Sequence, residues 1–190
     1  MASSFFRQAI SRTAPAPAVA VARYDVFLSH RRVDTKRSVV RLLHDRLTQQ
    51  HNLRSFLDDT SLKPGDLLME SIRDAVADCR VGVAIFSPRY CSSEFCLWEL
   101  AMMVEARKRI VPVFYNVKPS QLCVPRVAID AGVYLPEDVE RLNAALEVAK
   151  YTVGIVFNSR SGDMAELVAR TAHSVLDNMG IFGKELNTQM

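Results

Sequence analysis

Between Tyr90 and Leu100 the chain reads Tyr-Cys-Ser-Ser-Glu-Phe-Cys-Leu-Trp-Glu-Leu, which sets an acid, an aromatic ring and two hydroxyls close together. Phe95 and Glu99 stand four residues apart, so on a helix they share one face, roughly opposite a stripe of Leu97, Ala101 and Val104. Glu99 is therefore expected to point away from the core, at an exposed helical position. Ser92 or Ser93 can cap the start of that helix and so place its positive dipole end in front of it. By spacing alone, a glutamate so placed is more often simply solvated than functional. A second segment, Ser29-His30-Arg31-Arg32, brings two arginines that could attract phosphate or could be solvated charges near a helix start. In a third, Asp58-Asp59 is followed by Pro64-Gly65, which suits a turn, and by Asp66, which can cap the next helix. Adjacent aspartates point apart at a strand end and no third ligand is evident, so no metal site is expected there.

Five runs rich in β-branched and aromatic residues must position these loops: Tyr24 to Leu28, Leu53 to Leu57, Val81 to Phe86, Ile110 to Tyr115 and Thr152 to Phe157. Three are nearly continuous in apolar character, as strands covered on both faces require. Between them lie helical patterns: Val39, Leu43 and Leu47; Ile72, Ala75, Val76 and Cys79; Leu97, Leu100, Ala101 and Val104; and Leu142, Ala145, Leu146 and Ala149, with Pro136 in a first turn. Asp163 with Glu166 reads as a capping box opening a last helix striped by Val168, Thr171, Ala172 and Val175. The alternation predicts a doubly wound α/β domain, a five-stranded parallel sheet with helices on both faces, and by analogy with such domains a flavodoxin-like strand order. In such sheets ligands bind beyond the carboxyl ends of the strands, where the three loops begin.

Composition narrows the function classes. The 190 residues suffice for a single core, and 49% hydrophobic with 24% charged residues is ordinary for a globular domain. A net charge of +3 without a concentrated basic face argues against a nucleic-acid partner. Cys79, Cys91, Cys96 and Cys123 lack paired C-x-x-C spacing, so reduced thiols are expected rather than zinc ligands. No apolar run is long enough to cross a bilayer, and no membrane partner is expected. Residues 1–22 carry Arg7 and Arg12, an Ala-Pro stretch and no acid. They are read as a disordered tail, with an organellar transit peptide as the alternative and a cytoplasmic location as the expectation otherwise. Neither G-x-G-x-x-G nor G-x-x-x-x-G-K-[ST] occurs, which argues against a dehydrogenase or a P-loop enzyme. A phosphorelay receiver would need acidic residues where Ser29-His30-Arg31-Arg32 and Ser87-Pro88-Arg89 stand.

Taken in order, the loops resemble the plant TIR (Toll/interleukin-1 receptor) family. Tyr24-Asp25-Val26-Phe27-Leu28-Ser29-His30-Arg31 with Asp34-Thr35 matches its opening motif, and Phe56-Leu57-Asp58-Asp59 with Leu62 and Gly65 its second loop. Tyr90, Ser92-Ser93, Cys96-Leu97 and Glu99-Leu100 match the third, and Val111-Pro112-Val113-Phe114-Tyr115 with Pro119-Ser120 the fourth. There are departures: Arg32 stands where the family has Gly, Phe95 where it has Trp, and Lys118 where Asp is common.

The resemblance implies an NAD nucleosidase of immune signalling, with Glu99 as the catalytic carboxylate and NAD as substrate, no separate cofactor being needed. It implies phosphate contacts from Arg31 and Arg32, stacking by Phe95, and sugar contacts from Ser87 and from Ser92 or Ser93. Trp98 projects roughly a hundred degrees from Glu99 and is assigned to packing or an interface. The family further implies activity that depends on self-association through TIR–TIR contacts near Ser29 and His30, and contacts with other TIR proteins. A non-catalytic adaptor that only scaffolds such contacts is the alternative. The expected layout is a tail over 1–22, a TIR domain over 23–178 and a second tail over 179–190, without receptor modules after Met190.

Overall fold

A computed structural model describes residues 23–35, 39–57, 61, 65 and 67–181. Five strands, β1 (Val26–His30), β2 (Ser55–Phe56), β3 (Val81–Phe86), β4 (Arg109–Tyr115) and β5 (Ile155–Phe157), form one sheet in the order β2-β1-β3-β4-β5. All pairings are parallel, with Val26 beside Val81 and Val83 beside Val111. This is the expected flavodoxin-like order. Strand β2 is shorter than its apolar run suggested, and β5 starts only at Ile155.

The helices are α1 (Arg32–Thr35), α2 (Arg41–His51), α3 (Leu68–Asp78), α4 (Glu94–Glu105), α5 (Arg126–Asp130), α6 (Pro136–Tyr151) and α7 (Met164–Asn178). The short α1 and α5 have no apolar stripe that could have announced them. Pro136 opens α6, as its fixed φ and missing N–H favour. Asp163 caps α7 by accepting from the amides of Ala165 and Glu166. At α3 the cap position is Leu67, whose side chain makes no capping bond, while Asp66 lies outside the described residues.

Side chains along a strand alternate between faces, and here both faces are dry. Phe27, Phe56, Ala84, Phe86 and Phe114 pack on one side with Ile72 of α3, Leu97 of α4 and Leu142 of α6. Val26, Leu28, Val83, Ile85 and Val113 pack on the other with Leu43 and Leu47 of α2 and Val168 and Val175 of α7. Aromatic contacts thicken the first side: Phe27 stacks on Phe56 with centroids 5.1 Å apart, and Phe86 meets Tyr90 edge-on at 4.7 Å. Helix α4 is central there, packed against β1, α3 and α6. Trp98 is fully buried at that packing, with the Arg141 guanidinium of α6 5.1 Å from its ring centre. Arg141 also binds Glu105 at the end of α4.

The approach to β5 leaves no room for a side chain. A Cβ at Gly154 would lie 2.6 Å from the Pro112 carbonyl oxygen and 2.7 Å from the Phe114 ring. Gly154→Ala should lower stability by about 1–3 kcal/mol, the cost of overpacking a rigid neighbour, read as a lower urea midpoint with the slope unchanged.

Candidate active site

Because Phe27 faces the α4 side of the sheet, so does Ser29 two residues later. Ser29 is the fourth residue of β1 and is 0% exposed. Its hydroxyl donates to Glu99 Oε2 at 2.7 Å, a bond between residues 70 apart in the chain. Ser29 Oγ also lies 2.7 Å from the Tyr90 hydroxyl, and Tyr90 donates to the Cys96 carbonyl at 3.0 Å. Tyr90 is itself fully buried in the three-residue 3-10 turn Tyr90–Ser92 that precedes α4. Burial, reinforced by the nearby Cys96 and Glu99, raises its pKa well above the ordinary tyrosine value, so the phenol keeps its proton.

This corrects two expectations. Glu99 does not stand on an open face: it is only 9% exposed, because α4 is covered on several sides and eight of its residues are buried. A helical wheel drawn for one covered side placed it too far out. Ser29 and His30, assigned to self-association, are also inside, with His30 8% exposed and its Nδ1 3.1 Å from Thr35 Oγ1. Neither side chain can offer a docking surface as placed, since β1 is an interior strand covered on both faces.

Beside Glu99's network lies an ionic cluster centred on Asp34 of α1. Asp34 Oδ1 accepts from Arg31 at 2.7 Å and from Arg89 at 3.0 Å, and Oδ2 accepts from Ser87 at 2.7 Å. Burial by itself would raise the Asp34 carboxyl, but the Ser87 hydrogen bond and the charges of Arg31 and Arg89 outweigh it and hold the pKa below 3.8. The cluster ties the loop after β1 to the loop after β3, at the carboxyl ends of adjacent strands. Ser87 is thus corrected from a sugar contact to a structural one: it is 2% exposed and its proton goes to Asp34. Sequence reasoning did not single out Asp34, Arg89 or Tyr90 for the site. Asp34 and Tyr90 stood in the quoted motifs, but only their contacts show what they hold.

The remaining candidates sit at the rim. Ser93, not Ser92, caps α4, accepting from the Cys96 amide at 3.4 Å. Ser92 is exposed, and Phe95, 43% exposed, stands one helical turn before Glu99. Arg32 is exposed in α1, while Arg31 is partly covered by its pairing with Asp34. Cys91 adjoins this region, and burial pushes its thiol up to about 11, which disfavours a nucleophilic role. Asp58, Asp59 and the turn at Pro64 lie outside the described residues. Two grooves of about 550 and 560 Å³ open between α2 and α7, but neither is lined by a residue of the Glu99 network. They are surface features and not the place of the chemistry.

Motif order, sheet order and the buried carboxylate agree with one family, and its sequence model, described as TIR domain, matches residues 26–143. The chain belongs to the TIR family. It is 58% identical over 157 residues to the probable 2' cyclic ADP-D-ribose synthase BdTIR of Brachypodium distachyon, an alignment covering 83% of this chain and 70% of that protein. It is 32% identical over 103 residues to the TMV resistance protein N of Nicotiana glutinosa, covering 52% of this chain but 9% of that protein. Among solved structures, the TIR domains of the activated Roq1 resistosome, which directly recognises the pathogen effector XopQ, superpose with a TM-score of 0.69 at 30% identity. That match covers 80% of this chain and 99% of the other. Among the described residues of this TIR domain, no helix is long and apolar enough to cross a membrane.

Asp34→Ala removes one acceptor from three side chains and strands the buried Ser87 hydroxyl. A loss of about 2–3 kcal/mol is expected at neutral pH. Because the folded carboxyl titrates below its ordinary value of 3.8, its contribution is complete above that value and disappears as pH falls through the lower folded one. The stability gap between wild type and Asp34→Ala, measured by urea unfolding across pH, should therefore narrow only on the acid side of that value.

Proposed function

We propose that this TIR domain cleaves NAD at the nicotinamide–ribose bond, releasing nicotinamide and ADP-ribose or a cyclised form of it, as a signalling enzyme of plant immunity. The observation that carries the reading is the Glu99 carboxylate, removed from bulk water and held by the Ser29 hydroxyl at the carboxyl ends of β1 and β3. The 58% relationship to a probable 2' cyclic ADP-D-ribose synthase and the relationship to a resistance protein support both the chemistry and the setting.

The chemistry suits a single carboxylate. Nicotinamide in NAD is already a cationic leaving group, so its departure needs no general acid, unlike an ordinary glycoside that requires two carboxyl groups. Charge develops at the anomeric carbon as the bond to nitrogen breaks, and a fixed anion in a poorly solvated place stabilises it strongly. Water then attacks to give ADP-ribose, or a hydroxyl of the substrate attacks to close a ring; the product named for the Brachypodium relative favours the second. Arg31 and Arg32, together with the 64% exposed Arg89 side chain, supply cations for the diphosphate. Phe95 offers a face for stacking, and Ser92 and Ser93 offer hydroxyls to the sugar.

Glu99→Gln is the decisive variant, and burial makes it preferable to alanine. Gln keeps an amide oxygen that can still accept from Ser29, whereas Ala strands that hydroxyl and would confuse chemistry with stability. A fall in NAD turnover of about a hundredfold or more is expected, at least about 2.7 kcal/mol of transition-state stabilisation, with a nearly unchanged melting point. Wild-type turnover in this variant, at a concentration where the wild type is active, would overturn the enzyme reading in favour of a scaffold.

Self-association is part of the proposal, supported by the assembled TIR domains of the Roq1 resistosome. Turnover per mole of chain should rise as the protein is concentrated, when followed by nicotinamide release across a dilution series. A constant specific rate would remove assembly from the mechanism.

A further inference from the structure

We infer that Ser29 and Tyr90 are positioning residues for Glu99, two hydroxyls in series that orient its carboxylate and serve it in both of its protonation states. This rests on the NAD-cleaving reading for its chemical purpose, though not for its existence. The contacts form a line through the interior: Glu99 Oε2 to Ser29 Oγ at 2.7 Å, Ser29 Oγ to the Tyr90 hydroxyl at 2.7 Å, and the Tyr90 hydroxyl to the Cys96 carbonyl at 3.0 Å. Strand β1, the turn before α4 and α4 itself each supply part of it.

Proton counting along the line gives its logic. While Glu99 is a carboxylate it can only accept, so Ser29 donates to it and Tyr90 supplies the proton between its own oxygen and Ser29. Each donor then polarises the next toward the carboxylate, which strengthens the bond at Glu99. The Cys96 carbonyl shares the phenol proton in this state. When Glu99 is protonated, both hydroxyls can rotate, and the line runs Glu99 to Ser29 to Tyr90 to the Cys96 carbonyl with one proton in every contact. No heavy atom has to move, and the buried phenol never has to ionise.

That reversal matches the two halves of the proposed reaction. In the first, the carbon–nitrogen bond breaks, its electron pair neutralises nicotinamide, and the carboxylate faces the carbon cation. In the second, a lone pair of the attacking hydroxyl or water forms the new carbon–oxygen bond, and the proton released from that oxygen can rest on Glu99 before passing to solvent. Ser29 and Tyr90 touch no substrate in this scheme and act only through Glu99.

The test compares Tyr90→Phe, Ser29→Ala and the double variant. Phe keeps the ring that packs on Phe86 and removes only the hydroxyl. Tyr90→Phe should lower kcat by roughly tenfold with KM within about twofold, and Ser29→Ala should lower it further. If Tyr90 acts through Ser29, the double variant is no slower than Ser29→Ala alone; multiplicative losses would overturn the proposal. Sedimentation should show wild-type association for all three. Recovery of Ser29→Ala turnover on concentration would also overturn it, since Ser29 would then be acting at a contact between copies. A second measurement needs no activity: unfolding midpoints of Tyr90→Phe, Glu99→Gln and their combination. Their effects should be non-additive by about 2 °C or more in the wild-type background and additive in Ser29→Ala. Should the wild-type chain cleave no NAD, the functional reading falls while this coupling still decides the positioning claim: non-additivity upholds it and additivity in both backgrounds overturns it.

Discussion

A carboxylate that leaves bulk water must be given hydrogen bonds in return, and at Glu99 that requirement is met by the first strand of the sheet. Ser29 reaches it only because β1 lies inside the sheet, and Glu99 reaches Ser29 only because α4 is pressed onto β1 by α3 and α6. The aromatic packing of Phe27, Phe86 and Phe114, the turn that buries Tyr90 and the Trp98–Arg141 contact all hold α4 in that place. Glu99 is thus mounted on a helix packed on several sides, and in the proposed reaction the loops around it deliver the substrate.

The two polar clusters divide that work. Around Glu99 the partners contributed by β1 and the turn before α4 are hydroxyls, Ser29 directly and Tyr90 through it, which orient the carboxylate without adding a charge. Around Asp34 they are arginines, which do cancel the charge and hold the carboxyl firmly ionised. A carboxylate is therefore oriented by hydroxyls in one place and used as a fastening in the other. On the proposed reading, the second cluster holds Arg31 and Arg89 already oriented for the diphosphate, with Asp34 as the anion that substrate must share them with.

How much of this could be read from residue order depends on whether the signal was periodic. The continuous apolar runs of β1, β3 and β4 announced a sheet buried on both faces, and the alternation of strand and helix announced a doubly wound domain, while the flavodoxin-like order came by analogy with such domains. Pro136 and Asp163 marked helix starts because capping chemistry is local. Glu99 was legible through the family motif, but its burial was not, because a helical wheel presumes one wet side and α4 has little of one. Ser29 and His30 were assigned to self-association through the family resemblance, which says nothing of the burial that an interior strand imposes, and Ser87 looked free until its partner 53 residues away was known. Local pattern reveals which residues are polar; only the tertiary arrangement reveals which polar residue answers which.

The pairing of β1 with β3 carries a further consequence, for the timing of activity. Val26 meets Val81 across 55 positions of the chain, and Ser29 meets Glu99 across 70, so the constellation depends on contacts between distant parts of the chain. Such contacts carry the closure cost of the chain between them and exist only once the sheet has assembled. A chain whose β1 has not yet paired with β3, or one misfolded on the α4 side, holds Glu99 without its Ser29 partner and has no oriented anion to offer. On the proposed NAD-cleaving reading, competence and completed folding are then one event, and unfinished copies leave NAD untouched.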